Sequence, residues 1–234
     1  MDAPDYRDWA GRRVQAMLDA GPAARVIAVM VTSVDARAAL EGKSGGLSSA
    51  PDKALLKAWR TVAGGVLVGA RTLETERYGS LIPDTDREAR LAAGKEAWPR
   101  LLTISRRMDL DLDAVLSTDP DLPLTVYTEA GIPDELPGSD LHVIRLADVS
   151  PAAVVADARE RYGYDVIACE GGPHLFTVAL AQGALTDLSL TLSPVVVGSG
   201  PPLLPGEDLT QVVALRLAGA EAHDGSVFAH YLIG

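Results

Sequence analysis

"VIACEGGPHLFTVALAQG", residues 166–183, passes from one apolar run through two glycines into a second apolar run of different spacing. Asp165 to Glu170, "DVIACE", reads as a strand. From Pro173 onward, Leu175, Phe176, Ala179 and Leu180 recur at helical spacing until Gly183. A strand that turns through Gly171-Gly172 into a helix opened by proline is the unit of a parallel α/β sheet. Proline is tolerated there because the first helical N–H has no intrahelical partner. Such a corner brings unpaired backbone N–H groups to the mouth of a sheet, where they can cradle a phosphate or pyrophosphate. It is equally readable as a tight turn that needs positive φ at one of its glycines. Glu170 tilts the reading toward a ligand, because a carboxylate at the C-terminal end of a strand lies where open α/β sheets bind their substrates.

Outward from this unit the pattern repeats. A helix over 6–20 carries Trp9, Val14, Met17 and Leu18 on one side and stops at Gly21-Pro22; Arg25 to Val31 is a buried strand. After the polar stretch "VTSVDARAALEGKSGGLSS" (31–49), a second helix starts at Ser48 or Ser49 and buries Ala54, Leu55, Ala58, Trp59 and Val62. Strands follow at 65–69, 100–104, 124–128 and 141–145, with a short helix from about residue 71 and a helical polar stretch from Thr85 to Lys95. The Asp- and Pro-rich middle reads as loop. Ser150-Pro151 opens another helix, "DLSLTLSPVVV" (187–197) is a strand, and the C-terminal segment forms a hairpin turning at Asp224-Gly225. The expected fold is α/β: a single domain with a mixed, mostly parallel central sheet flanked by helices and a closing C-terminal antiparallel hairpin. Residues 1–24 form an N-terminal helical extension and 25–234 the domain itself. No repeat, low-complexity tract or linker divides the chain.

Composition narrows the function. The 234 residues are 47% hydrophobic, enough for a substantial core, and 32 acidic against 21 basic residues give a formal charge of -11. That balance argues against a surface that coats nucleic acid or anionic membrane. Apolar runs such as Val26 to Val31 are far shorter than the roughly 20 residues of a membrane span. The start resembles no signal peptide, and the single cysteine, Cys169, permits no internal disulfide, so a cytoplasmic location is expected. His142, His174, His223 and His230 form no metal-binding spacing, and no metal is expected.

Other motifs each admit a plainer reading. "GKS" at 42–44 lacks the first glycine of a phosphate-binding loop, having Arg37 there. Gly42, Ser44 and Gly46 satisfy G-x-S-x-G, but without strand, turn and helix in immediate succession a hydrolase using Ser44 with His174 or His223 is a remote alternative. "GVLVGARTLETE" is a second strand-to-helix corner, where Gly69-Ala70 allow close approach to the backbone and Thr72 offers a hydroxyl. The 31–49 loop carries Ser33, Asp35, Lys43, Ser44 and Ser48, enough to close over a polar substrate, though it also suits a solvated surface loop. Arg60 on the following helix is a phosphate partner or a surface arginine.

Taken together and in order, the run from Ser33 to Glu76, "LLTIS" (101–105) and "ACEGGPHLFTVALAQGALTDLSLTLSPVVVGSG" (168–200) resemble the reductase domain of riboflavin biosynthesis. The resemblance covers most of the chain from Arg25 onward and implies a dihydrofolate-reductase-like fold and NADPH as cofactor. The implied reaction delivers hydride to C1′ of the opened ribosyl group of 5-amino-6-(5-phosphoribosylamino)uracil or a close ribosylamino-pyrimidine phosphate. An NADPH-dependent reductase of a pterin, a dihydrofolate or another small carbonyl or imine compound is the alternative on the same fold. By motif, Val31, Thr32, Gly46, Gly69, Thr72, Glu76 and Ser105 face NADPH, and Gly171, Gly172, Pro173 and His174 cradle its pyrophosphate. Ser44, Arg60, Leu81 and Glu170 face the substrate. Asp35 and Glu170 are the catalytic candidates, Asp35 by shaping the loop. Arg106 and Arg107 are candidates for the 2′-phosphate. A homodimer through the terminal strands is also implied. The chain departs from the family pattern in having Ala36 where Asp-Gly is usual, Glu76 for aspartate, and Leu81-Ile82-Pro83-Asp84 where an arginine commonly grips the ribose phosphate; Arg77 and Arg87 are nearby substitutes.

Overall fold

The computed structural model describes residues 5–76, 78–117, 119, 121–206, 209 and 211–234. Nine strands form one sheet: β1 (Arg25–Thr32), β2 (Gly65–Gly69), β3 (Arg100–Ile104), β4 (Leu124–Thr128), β5 (Leu141–Arg145), β6 (Val166–Gly171), β7 (Asp187–Leu192), β8 (Leu215–His223) and β9 (Ser226–Ile233). Their order is β5-β4-β3-β2-β6-β1-β7-β9-β8. The pairs from β5 through β7 are parallel, and β9 runs antiparallel to both β7 and β8. This is the mixed, mostly parallel sheet with a closing hairpin that the sequence predicts. The hairpin turns at Asp224 (φ 51) and Gly225 (φ 76), the two consecutive positive φ values that a tight two-residue turn demands.

The helices are α1 (Arg7–Asp19), α2 (Ala50–Val62), α3 (Ala70–Glu76), α4 (Asp84–Ala92), α5 (Leu112–Leu116), α6 (Pro151–Tyr162) and α7 (Pro173–Ala181). Alternation along the strands sends side chains to two covered faces. Val26, Ala28 and Met30 of β1 join Leu67, Leu102, Ile167 and Cys169 beneath Val154 and Ala158 of α6 and Phe176 and Ala179 of α7. Ile27, from the opposite face of β1, packs with Val14 and Met17 of α1, Leu55 and Trp59 of α2, and Phe228. Val66, Val68, Leu101 and Val126 pack beneath Leu73 of α3 and Val115 of α5. Burial on both sides is why these strands read as continuous apolar runs.

Ser150 caps α6, its hydroxyl accepting the Ala153 N–H at 3.3 Å, and Gly163 ends it in the left-handed region (φ 69). Ser49 occupies the N-cap position of α2 without a side-chain cap bond, and Pro51 lies in the first turn. Two expectations are corrected. β7 ends at Leu192, not at Val197: Pro194 has no N–H for a ladder, and Val195 N–H turns back to the Ser193 carbonyl at 2.8 Å. Part of the middle read as loop is α5, capped by Asp111, whose carboxylate accepts the Ala114 N–H at 3.0 Å. Among the described residues no helix is long and apolar enough to cross a membrane.

The connections place the site. From β1 the chain crosses by α2 on one face to β2, skipping the slot later filled by β6; from β6 it crosses by α7 on the other face to β7. The two crossovers diverge above the C-terminal ends of β1 and β6, which opens a crevice where open α/β sheets bind ligands.

Candidate active site

Glu170 stands at the end of β6 at a break in register. Leu67 of β2 pairs with Cys169 and Val68 with Gly171, so Glu170 has no partner on β2. An extra residue of this kind re-aims its side chain. The carboxylate meets Arg60 near the end of α2 in a fork: Nε to Oε1 and Nη2 to Oε2, each 2.6 Å. Tyr78, just beyond α3, donates its hydroxyl to Oε2 at 2.9 Å, and the guanidinium lies 5.2 Å from the centre of its ring. Arg60 Nη1 also reaches the Leu81 carbonyl at 3.5 Å. The Glu170 side chain is 4% exposed and that of Arg60 15%. Burial works against the Arg60 charge, but Glu170 outweighs it and raises the guanidinium pKa above its ordinary value. Burial first, and the neighbouring carboxylate second, push the Tyr78 phenol well above its usual range, so it remains protonated. Sequence reasoning had placed Arg60 and Glu170 together facing the substrate. It missed Tyr78, which belongs to no periodic run.

The glycine corner follows at once. Gly171 has φ 81, and the Gly171-Gly172 peptide is cis. The Gly172 N–H donates to the Thr72 hydroxyl on α3 at 3.2 Å, joining the two strand-to-helix corners that the sequence singled out. A Cβ on Gly172 would lie 2.8 Å from that hydroxyl oxygen, whereas at Gly69 it would make only ordinary contact, 3.5 Å from the Gly171 carbonyl. Pro173 and His174 begin α7, whose N-terminus follows directly on the C-terminal end of β6.

The 31–49 loop closes the other side. Ser44 and Gly46 lie in a 3-10 turn, and Glu76, at the end of α3, accepts both the Ser44 N–H and hydroxyl at 3.2 Å. Ser44 is thus latched to a carboxylate within a turn, which removes the strand-to-helix elbow of the hydrolase reading. A Cβ on Gly46 would approach Leu40 to 3.1 Å. Val31 and Thr32 end β1, Val31 beside Thr191 of β7, while the Thr32 hydroxyl donates to the Arg37 carbonyl at 3.1 Å. Asp35 is committed to loop geometry: it accepts from the Ser33 hydroxyl at 2.6 Å and from the N–H groups of Val197 and Gly198 at 3.0 and 2.7 Å. Those bonds, the Ser33 hydroxyl foremost, hold its carboxyl well below the usual range. Asp35 therefore ties two loops together, in keeping with a shaping role.

At the ends of β3 and β4 a shallow cleft is lined by Ala70, Ile104, Ser105, Arg106, Arg107, Asp109 and Glu129. Ser105 is buried and exchanges hydrogen bonds with Asp109, its hydroxyl donating to the carboxylate at 2.9 Å and accepting the backbone N–H at 3.1 Å. Arg106 and Arg107 stand on the rim, 62% and 86% exposed and 3.8 and 3.2 Å from Glu129 and Asp109.

Two placements differ from expectation. The Leu81 side chain is 2% exposed and packs in the core, leaving only its carbonyl at the site, beside Arg60. Arg87 lies over the Trp98 ring at 5.2 Å and makes its contact there, and Arg77 is outside the described residues.

Comparison with protein families supplies the remaining observation: the model of the RibD C-terminal domain matches residues 24–228. The chain belongs to the RibD C-terminal domain family. Among solved structures, a pyrimidine reductase-like protein from Corynebacterium diphtheriae is similar at 25% identity and TM-score 0.76, over 94% of this chain and 97% of that one. RibD from Acinetobacter baumannii is similar at 18% identity and TM-score 0.72, over 97% of this chain; the alignment covers 63% of RibD. The riboflavin biosynthesis reductase Rib7 of Saccharomyces cerevisiae gives 14% identity and TM-score 0.57 over 90% and 89% of the two chains. Comparison with curated proteins finds no match.

Proposed function

We propose that this RibD C-terminal domain member is an NADPH-dependent reductase of riboflavin biosynthesis. Its substrate is 5-amino-6-(5-phosphoribosylamino)uracil or a close ribosylamino-pyrimidine phosphate. The observation that carries the reading is the family match over residues 24–228, which spans every element of the crevice. Residues 25–234 form the reductase domain and 1–24 its helical extension.

The residues present fit a reduced nicotinamide dinucleotide phosphate. Gly172, where a Cβ would collide with Thr72, lets α3 close against the corner, and His174 and the first turn of α7 supply donors for a pyrophosphate. In this reading Val31, Thr32, Gly46, Gly69, Thr72, Glu76 and Ser105 face the cofactor, and Arg106 and Arg107 meet its 2′-phosphate. When bound, this cofactor supplies the hydride for C1′ of the opened ribosyl group. The chain's own task is orientation: Ser44, the Arg60–Glu170 pair and the Leu81 carbonyl hold the substrate, and Asp35 fixes the loop that carries Ser44 over it. Turnover followed by loss of reduced-nicotinamide absorbance with the ribosylamino-pyrimidine phosphate tests the reading; tight cofactor binding without turnover refutes the substrate. Replacing Arg106 and Arg107 together with alanine is expected to weaken NADPH about tenfold and leave NADH nearly unchanged, since each charge-assisted hydrogen bond is worth roughly 1.5–3 kcal/mol and these side chains are exposed. Equal weakening sinks that assignment.

A specific observation favours a second reading with the same cofactor and a pterin, dihydrofolate or other small carbonyl or imine substrate. Arg60 is already committed to Glu170, Arg87 to Trp98, and the Leu81-Ile82-Pro83-Asp84 segment brings no cation. Turnover of dihydrofolate but not of the pyrimidine decides for it.

The reading includes a cytoplasmic homodimer. Cys169 is a buried free thiol, and β8 is a sheet edge that leaves Leu215 and Leu217 43% and 54% exposed. Light scattering that gives a single-chain mass overturns the dimer.

A further inference from the structure

α4 is packed the wrong way round for a helix that builds a core. Its buried residues are Asp86 and Arg90, while Leu91 beside them is 55% exposed. A surface helix ordinarily buries its apolar stripe, and a buried charge costs stability unless it is paired and hydrogen-bonded. Apolar packing therefore does not account for this face of α4. The partners of its charged residues do.

Those partners lie on the last turn of α2. A helix leaves its last four carbonyls without intrahelical donors. For α2, whose C-cap is Ala63, these are the carbonyls of Arg60, Thr61, Val62 and Ala63. Arg90 Nη1 donates to the carbonyls of Ala63, Thr61 and Arg60 at 2.6, 2.8 and 3.3 Å, its two hydrogens shared among the three. Lys95, just beyond α4, takes the fourth, its Nζ donating to the Val62 carbonyl at 2.6 Å. Asp86 accepts the Thr61 hydroxyl at 3.0 Å, and Arg90 is itself held by its Nε, which donates to the Glu96 carbonyl at 2.9 Å. All four carbonyls are thus met by cations from one neighbouring segment, and two positive charges face the negative end of the helix dipole.

The turn capped in this way is the one that carries Arg60. A helix end without such donors frays, and a side chain rooted in a fraying turn loses the fixed base that its two 2.6 Å bonds to Glu170 require. We propose that Arg90, assisted by Lys95, is a positioning residue of the substrate site: by capping the last turn of α2 from outside, it fixes the backbone from which Arg60 reaches the substrate. The inference rests on the reading above, in which Arg60 holds the substrate. Arg90 is buried against carbonyls and acts only through Arg60.

Steady-state kinetics with the ribosylamino-pyrimidine phosphate and NADPH test this in Arg90→Met, Arg90→Lys and Lys95→Met, each made in the wild type and in Arg60→Gln. Arg90→Met is expected to raise the pyrimidine KM about tenfold while kcat and the NADPH KM stay within about threefold. Arg90→Lys keeps a cation with several donors and should stay within about threefold of the wild type. Lys95→Met, at an exposed site, should raise the pyrimidine KM about threefold. In Arg60→Gln neither methionine variant should lower kcat/KM by more than about twofold, because no guanidinium remains to be placed. A penalty that persists in Arg60→Gln, an equal weakening of NADPH, or a wild-type KM in Arg90→Met overturns the proposal; should Arg90→Met not fold, Lys95→Met is judged by the same outcomes. A wild type that does not turn over the pyrimidine overturns the substrate reading instead. The placement of Arg60 is then read from its Nε–H resonance in arginine-labelled protein: hydrogen exchange about tenfold faster in Arg90→Met, or about threefold faster in Lys95→Met, supports it, and unchanged exchange overturns it.

Discussion

Gly172→Ala isolates the contact that joins the two corners of the crevice. The added Cβ would stand 2.8 Å from Thr72 Oγ1, against the 3.4 Å at which ordinary contact begins, so β6 and α3 must part by about 0.6 Å (3.4 less 2.8) or the threonine must rotate. Either movement also breaks the 3.2 Å bond from Gly172 N–H to that hydroxyl. Overpacking of this kind costs about 1–3 kcal/mol and the hydrogen bond about 0.5–1.5, so the substitution is expected to destabilise by roughly 2–4 kcal/mol. In a Thr72→Ala background the opposing atom and the bond are both gone, and the same change should cost less than about 1 kcal/mol. Urea unfolding of the four proteins of this cycle, without cofactor, reads the difference. NADPH titration should show Gly172→Ala binding at least about tenfold more weakly, because the proposed pyrophosphate cradle is displaced with the corner. An equal cost of Gly172→Ala in both backgrounds would refute the assignment of Gly172 to the Thr72 contact.

Further predictions concern buried charge and backbone strain. Arg60→Ala leaves Glu170 buried beside Tyr78 alone and is expected to cost about 3 kcal/mol, the lower end for breaking a buried pair because Arg60 is 15% exposed; adding Glu170→Gln should restore at least half, and denaturant midpoints that show no restoration contradict the pairing. For Asp187, burial pushes the carboxyl up, but hydrogen bonds from His230 and Thr186 and the Arg25 charge bring it below its usual value. A depressed folded pKa contributes stability that is present above the unfolded value, near 3.9, and lost as pH falls through the folded one, so unfolding measured from neutral pH downward should show a loss below about pH 4 that is smaller in Asp187→Asn. Ala36 has φ 59, a left-handed conformation that costs a residue with a Cβ about 1–2 kcal/mol; set against about 0.4–1 kcal/mol of added unfolded-state entropy, Ala36→Gly should be neutral to stabilising by about 1 kcal/mol, and clear destabilisation in the same assay refutes the strain.

The parts of the fold written in local pattern were legible. Continuous apolar runs located β1 to β4 and β6, because burial on both faces leaves no polar alternation to mislead. Ser150-Pro151 and Asp224-Gly225 marked the start of α6 and the turn of the hairpin through capping and turn chemistry. The helix within the Asp-rich middle was not legible, since α5 is a single short turn-rich segment whose stability comes from packing Val115 and Leu116 beneath β3 and β4. In the site, the glycine corner, Thr72, Ser44, Arg60 and Glu170 were placed together by what the family resemblance implies. Their mutual pairings were not, because Ser44 with Glu76 and Gly172 with Thr72 depend on how α3 abuts the loop and β6. Tyr78 gave no signal beyond its neighbours. The usual glycine after Asp35 was noted as a departure in the sequence, and its meaning appeared only in the positive φ of Ala36.

Two buried arginine–carboxylate pairs sit at opposite ends of the same sheet, and their surroundings give them different work. Arg25 and Asp187 join β1 and β7 at the N-terminal end, with side chains 0% and 1% exposed. Arg25 donates to the Pro22 and Leu18 carbonyls as well as to Asp187, which His230 meets at 2.8 Å and Thr186 at 2.6 Å. With its polar atoms bonded to one another, that cluster holds strands in register. Arg60 and Glu170 have the same chemistry at the C-terminal end, but the guanidinium is 15% exposed, the carboxylate lies at a register break, and Tyr78 donates its hydroxyl to it. A pair placed there stands at the end of the sheet where the crossovers diverge and open α/β sheets bind ligands, which is why it is proposed for the substrate and the Arg25 pair is not.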